Sequence, residues 1–244
     1  MLKLRHKGFS LIELMVAMAL GSFIIAGLVS VFIGASRSYS TQQALVEVQS
    51  KGRFAIEKLR EDIQLGGLGI SSSEQPVRFV PVGGTTDCDN SVYEVLEISF
   101  NRNNAGANSI SCYYLNTANN QLMRNQTIEG TAATVAQAVP IVDSVDQIEF
   151  FYSVDTDGNG IDVTAGSIYQ TAATLAAAAA PNWKDVVAVR IELVVASNTD
   201  RVLDERQILV NPFDRNPPTN ISANNGDTRL HQAYTALVSL RNRI

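Results

Sequence analysis

Histidine is almost missing from this chain: His6 and His231 are the only two in 244 residues. Histidine-based triads and histidine-rich metal centres therefore have little to draw on. There is also no phosphate-binding P-loop, no G-x-S-x-G elbow and no Cys-x-x-Cys pair. These gaps argue for a protein that is not an enzyme. Charge is sparse as well, at 18% against 45% apolar residues, which suits a packed core and argues against wholesale disorder. Basic residues do not dominate: 19 Lys and Arg face 24 Asp and Glu. An acidic chain offers no electrostatic footprint for nucleic acid. The length fits one ordinary domain with an appendage.

The N-terminus is the exception to the acidic balance. Residues 1–8 hold Lys3, Arg5 and Lys7 and no acid. Phe9 to Ala35 follows as an apolar run whose one charge is Glu13. As a helix it would be about 40 Å long, enough to cross a bilayer core of roughly 30 Å. The basic patch before the run predicts a cytoplasmic N-terminus and a translocated body. A secretory signal would have a shorter apolar region and then a small-x-small cleavage site. A plain anchor leaves Glu13 unexplained, because a carboxylate inside such a span costs about 2.5–3.5 kcal/mol and calls for a partner.

Ser38 to Leu65 reads as a continuation of the helix. Leu45, Val48, Gly52, Ile56, Leu59 and Ile63 form one stripe of period 3.6, with Glu47, Lys51, Glu57, Lys58, Arg60, Glu61 and Asp62 on other faces. Gly66, Gly67 and Gly69 stop it. Beyond them the period becomes two. Strands are predicted around Leu96–Phe100, Ile148–Val154, Val187–Val195 and Tyr234–Leu240, with the odd-numbered valines, Ile191 and Leu193 of the third facing the core. Weaker strands fall at Val77–Val82, Ser111–Leu115, Gln121–Arg124 and Arg206–Asn211, and the alanine run 172–180 favours a short helix. No strand is followed by a clear helix, so the sheet should be mainly antiparallel. The expected fold is α+β: a long N-terminal helix packed on a mainly antiparallel body. The expected divisions are a leader at 1–8, a transmembrane half-helix at 9–36, an amphipathic half-helix at 37–66 and a β-rich body at 67–244.

Two clusters in the body carry chemistry. Cys88 and Cys112 would face an oxidising compartment if the body is translocated, and pairing them would stabilise by roughly 3 kcal/mol. Asp155, Asp157 and Asn159 have the alternate spacing of a calcium loop, and Gly160 sits at its sharp turn. The twelfth position is Gly166 and not glutamate, so Asp162 would have to supply the missing carboxylate. An Asp- and Gly-rich β-turn explains the same residues without a metal. Calcium is thus a candidate ligand, and no other cofactor is expected.

Lys7-Gly8-Phe9-Ser10-Leu11-Ile12-Glu13 resembles the class III signal of type IV prepilins. The resemblance implies cleavage by a membrane prepilin peptidase between Gly8 and Phe9 and N-methylation of Phe9. It also implies that Glu13 pairs with the terminal amine of a neighbouring subunit. Two charges that are costly alone in the membrane become a pair. Cleavage would remove Lys3, Arg5 and Lys7, leaving 16 Lys and Arg against 24 acidic residues. Val145–Gly158, Trp183–Leu193 and Tyr234–Arg243 resemble the PilW family of minor pilins. Major pilins often carry a kinking proline in the later span; this chain has no proline between Phe9 and Leu65. The resemblance implies a minor pilin, held in the inner membrane with its body in the periplasm until it joins the filament or its tip. It would prime pilus assembly beside other minor pilins, the major pilin and a tip adhesin, meeting them through strand edges and loops. The same architecture serves a type II secretion pseudopilin of the large minor class, and an adhesin could use the same anchor.

Overall fold

The computed structural model describes residues 10–83, 87–88, 93–102, 106–131, 137–156, 158, 168–177, 183–200, 202–203, 207–210, 220–222 and 228–240, with the backbone alone for 208–210 and 220–222. One helix, α1, runs unbroken over Leu11–Leu65, 55 residues in all, and so is about 80 Å long. With no proline to clash with the preceding turn, nothing interrupts its ladder. Ser10 caps it, accepting from the Glu13 amide at 3.3 Å. At the other end the Gly66 amide donates to the Ile63 carbonyl at 3.0 Å and the Gly67 amide to the Ser99 carbonyl, also at 3.0 Å. Gly69 has φ +66° and lies so close to Asn101 that a Cβ there would stand 2.3 Å from its carbonyl oxygen. Only glycine fits that turn, and it ties the end of the helix to the neighbouring sheet.

The body holds two main sheets, both antiparallel throughout. The first is a five-stranded meander, β1 (Val77–Val80), β2 (Val95–Phe100), β3 (Ser109–Asn116), β4 (Gln121–Ile128) and β5 (Val139–Val142), in sequential order. The second has the order β11-β8-β6-β7, built from β6 (Val145–Val154), β7 (Gln170–Thr171), β8 (Val186–Ala196) and β11 (His231–Ser239). Between β7 and β8 lie α2 (Ala172–Ala176) and a 3-10 turn at Trp183–Asp185. A small ribbon pairs β9 (Ile208–Val210) with β10 (Asn220–Ser222). The chain crosses from the first sheet to the second at residues 143–144, where Ser144 has φ 55° and the Val145 amide bonds the Asn120 carbonyl at 2.8 Å.

The α+β expectation holds, with the sheet divided in two. Strand β8 departs from simple alternation. Opposite Ser153 and Val154 of β6 it carries one extra residue, Val187, so Val186 is the fully buried one and Val187 only half-buried. The core-facing set therefore reads Val186, Val189, Ile191, Leu193 and Val195. β5, β7 and β10 are too short or too polar to show a period of two.

The core lies between the second half of α1 and both sheets. Val48, Ala55, Leu59 and Ile63 meet Leu96, Ile98, Tyr113 and Leu122 of the first sheet, and Tyr152, Ile191, Leu193 and Val238 of the second. Burying a side chain such as Leu59 contributes roughly 1.5–3 kcal/mol. The buried helix positions are Ala44, Val48, Gly52, Ala55, Leu59, Asp62 and Ile63. Relative to the predicted stripe, Leu45 is exposed, Ile56 is only partly buried, and Asp62 moves from a solvent face into the core. A second cluster, Val95, Ile110, Tyr114 and Met123 with Cys88 and Cys112, covers the far face of the first sheet.

Candidate functional site

Among the described residues, nothing buries the first half of α1. From Leu11 to Gln43 no residue is buried, and Phe23, Phe32 and Ile12 are among the most exposed side chains. Its richest 18-residue window has a mean hydropathy of 2.5, long and apolar enough to cross a membrane. Three of its hydroxyls bond to their own helix. Ser22, Ser38 and Thr41 hydroxyls donate to the carbonyls of Met18, Gly34 and Arg37 at 2.8–3.0 Å. Such back-bonding lets hydroxyls enter lipid without an unsatisfied donor.

Glu13 sits in the first turn of this arm. It completes a capping box, its carboxylate accepting from the Ser10 amide at 3.4 Å. Among the described residues it has no ion pair. The positive end of the helix dipole favours an anion there, so the carboxylate is held at the start of the span facing outward. Gly8 and Phe9, the expected cleavage and methylation residues, lie outside the described residues.

The second half of α1 is fastened to the body by polar contacts as well as by the core. Tyr234 of β11 packs directly on Gly52: a Cβ there would stand 2.1 Å from the ring. The Tyr234 hydroxyl donates to the Val48 carbonyl at 3.1 Å. Lys51 reaches Glu47 and Asp143 at 2.8 Å and the Asn198 side chain at 2.7 Å, linking helix, sheet crossover and the loop after β8. Deeper in, Asp62 accepts from the Tyr113 hydroxyl at 2.7 Å and from Arg124 at 2.7 and 2.8 Å. Burial, with the Asp62 carboxylate beside it, pushes the Tyr113 phenol well up and keeps it a donor. Sequence reasoning missed this triad. The available signal was an acid one residue from Ile63 on a helix whose core face the glycine and leucine spacing already marks.

The sulfurs of Cys88 and Cys112 are bonded, with Cα atoms 5.9 Å apart, and staple the loop before β2 to the middle of β3. Asp155 of the candidate calcium set accepts from the Gly158 amide at 2.8 Å, as an Asx turn does. Asp157, Asn159 and Asp162 lie outside the described residues. His231 is buried at the start of β11, with one ring nitrogen 2.8 Å from Asp146 and the other 3.0 Å from the Arg229 carbonyl. It serves as a tie between strands.

On the outer face of the second sheet, Glu192 stands directly across from Glu149. Burial, with Glu149 adding to it and Arg190 opposing it, pushes the Glu192 carboxyl up to about 7. Arg190 pairs with Glu192 at 2.9 Å and lies over the rings of Phe151 and Tyr169 at 4.5 and 4.4 Å.

The geometry is that of a membrane helix carrying a β-rich body, and comparison with known proteins agrees. The sequence profile of the family described as Type IV Pilus-assembly protein W matches residues 112–242, more than half of the chain. The chain belongs to that family. A second profile, the prokaryotic N-terminal methylation motif, matches residues 3–29. No curated protein matches. Among solved structures, a type IV-like pilin from Thermus thermophilus superposes with a TM-score of 0.50 at 13% identity, over 80% of this chain and 98% of that one. That likeness speaks for the fold alone. The match to the Type IV Pilus-assembly protein W family spans β4, β6, β8 and β11. The motif and the apolar arm together make this member a membrane-anchored, pilus-associated, pilin-like subunit.

Proposed function

We propose that this subunit is a minor pilin that primes assembly of the type IV pilus from a complex with other minor pilins at the filament tip. The prepilin peptidase cleaves between Gly8 and Phe9 and methylates Phe9. The arm then holds the subunit in the inner membrane with its N-terminus at the cytoplasmic side and its body in the periplasm. On assembly the arm trades lipid for the helices of neighbours, and Glu13 pairs with a neighbour's terminal amine to set axial register. The reading rests on one observation: the single carboxylate of an otherwise uncharged and unburied span stands in its first turn with no ion-pair partner among the described residues. An ion in that position is costly until a cation from another chain meets it. The mechanism contains no chemical step by the subunit itself.

The test is Gly8→Ala beside Glu13→Ala in cells lacking the native gene, scored for processing and for pilus number. Gly8→Ala should stay uncleaved. Glu13→Ala should be cleaved and membrane-bound but give few pili. Cleavage of the first together with normal piliation by the second overturns the reading.

A further inference from the structure

Strand β6 is paired unequally on its two sides. Along one side β8 accompanies it from Val145 to Val154. Along the other, β7 meets only Phe151 and Tyr152. Among the described residues, 147–150 thus have a partner strand on one side only. Their open edge runs beside a cleft of about 610 Å³ between the two sheets. Phe150 and Ile148 form one wall; Phe79, Tyr93 and Leu115 form the other. The described lining holds two carboxylates, Glu94 and Glu149, and neither lysine nor arginine.

An unpaired edge presents amides and carbonyls at strand spacing, a template for one more strand. Four residues at about 3.3 Å each give a seat of roughly 13 Å. Side chains of an added strand alternate between two faces. One set would continue the row of Ile148 and Phe150 into the apolar cleft, and the other would stand across from Glu149. That carboxylate already faces Glu192 on its other side. Like charges directly opposite destabilise, and opposite charges stabilise. The Arg190 guanidinium that could relieve Glu149 is engaged by Glu192 and by the rings of Phe151 and Tyr169.

We propose that the open edge of β6 receives an extended strand of a neighbouring subunit, in which apolar residues alternate with a lysine or arginine placed opposite Glu149. This deepens the reading of the chain as an assembly subunit by naming where and how one neighbour docks. A second copy of this chain is the poorer occupant, because copying β6 onto itself brings another acidic edge against Glu149.

The test uses the full chain in zwitterionic micelles and a labelled eight-residue peptide alternating valine and lysine, read by fluorescence polarisation against empty micelles. Saturable binding is expected. It should weaken by about tenfold or more when glutamate replaces lysine in the peptide, and likewise when alternate backbone amides are N-methylated. Glu149→Lys should reverse the preference, and its fold is checked through the fluorescence of Trp183. No saturable binding up to about 1 mM overturns the proposal. So does equal binding of the N-methylated peptide, which would mean charge attraction without strand pairing. Copy-to-copy photocrosslinking from position 149 that excludes the peptide would assign the edge to a second copy and also overturn it. Pilus number is not read in this experiment, so its failure leaves the priming role standing.

Discussion

The two halves of α1 are the same helix in different solvents. From Leu11 to Ala35 it is apolar on every side apart from Glu13, and as far as Gln43 it is unburied; from Ala44 to Leu65 it has one buried face and charges elsewhere. The first half cannot be stable in water and needs lipid or other helices around it. The second half is completed by its own body, which supplies Tyr234, Tyr113 and Arg124 at fixed points. Helix propensity does not distinguish them. What differs is whether a side chain finds its partner within the chain. On the proposed function, that division assigns body stability to one half and assembly to the other, and substitutions can break it.

The largest stability effect should come from Asp62→Ala. It would leave the Tyr113 hydroxyl and the Arg124 guanidinium buried without their acceptor, at a cost of about 3–5 kcal/mol. Denaturant unfolding in micelles, followed through the single tryptophan, measures it; Trp183 is buried against Tyr152 with ring centroids 5.0 Å apart, so it reports on the body. Leu59→Ala, at a fully buried position of the same face, should cost about 2–5 kcal/mol.

Gly52→Leu comes next. The added side chain would enter the space of the Tyr234 ring, forcing helix and β11 apart at a cost of about 1–3 kcal/mol. Tyr234→Ala made in the same chain should recover part of that loss, because it removes the obstacle. Two destabilised singles whose combination is worse than either would mean that the close approach is not what Gly52 provides.

Much of this division is readable from residues alone. The apolar run with one acid marks the arm, and period-two alternation marks the long central strands, because burial there is governed by repeating position. What could not be read depends on partners distant in sequence. Asp62 looks like a surface acid until β3 and β4 bring Tyr113 and Arg124 to it. Val187 looks like a core residue until the bulge in β8 opposite Ser153 and Val154 shifts the register by one. The division into two sheets is set by the crossover at Ser144, where one positive φ angle redirects the chain and leaves no periodic trace. The residues proposed for processing and assembly lie at the other extreme. Gly8, Phe9 and Glu13 belong to a local motif, legible because it is contiguous in sequence and needs no distant residue to complete it.

A smaller effect is expected at Glu192, on the outer face of the second sheet. Its carboxyl is raised from an ordinary 4.5 to about 7, chiefly by burial, with Glu149 adding to it. The folded state therefore binds this proton more tightly than the unfolded state does. The associated stability is fully present below about pH 4.5, is lost as pH rises toward about 7, and stays lost above that. The loss should be of the order of 1 kcal/mol, reduced by solvent and by Arg190. Comparing denaturation midpoints at about pH 5 and about pH 8 reads it, and Glu192→Gln should flatten the difference.

The smallest effect on the body is the one that separates the halves most cleanly. Leu20 carries the same side chain as Leu59 but is 60% exposed, against 0% for Leu59. Leu20→Ala removes no contact with the body, so unfolding in micelles should shift by no more than about 0.5 kcal/mol. In the filament the same position is expected to lie among neighbouring helices, where lost packing is felt. Pilus number in cells should therefore fall with Leu20→Ala although the purified subunit is as stable as before. A destabilised body with Leu20→Ala would mean that the arm folds back on its own chain, and the separation of roles along α1 would not hold.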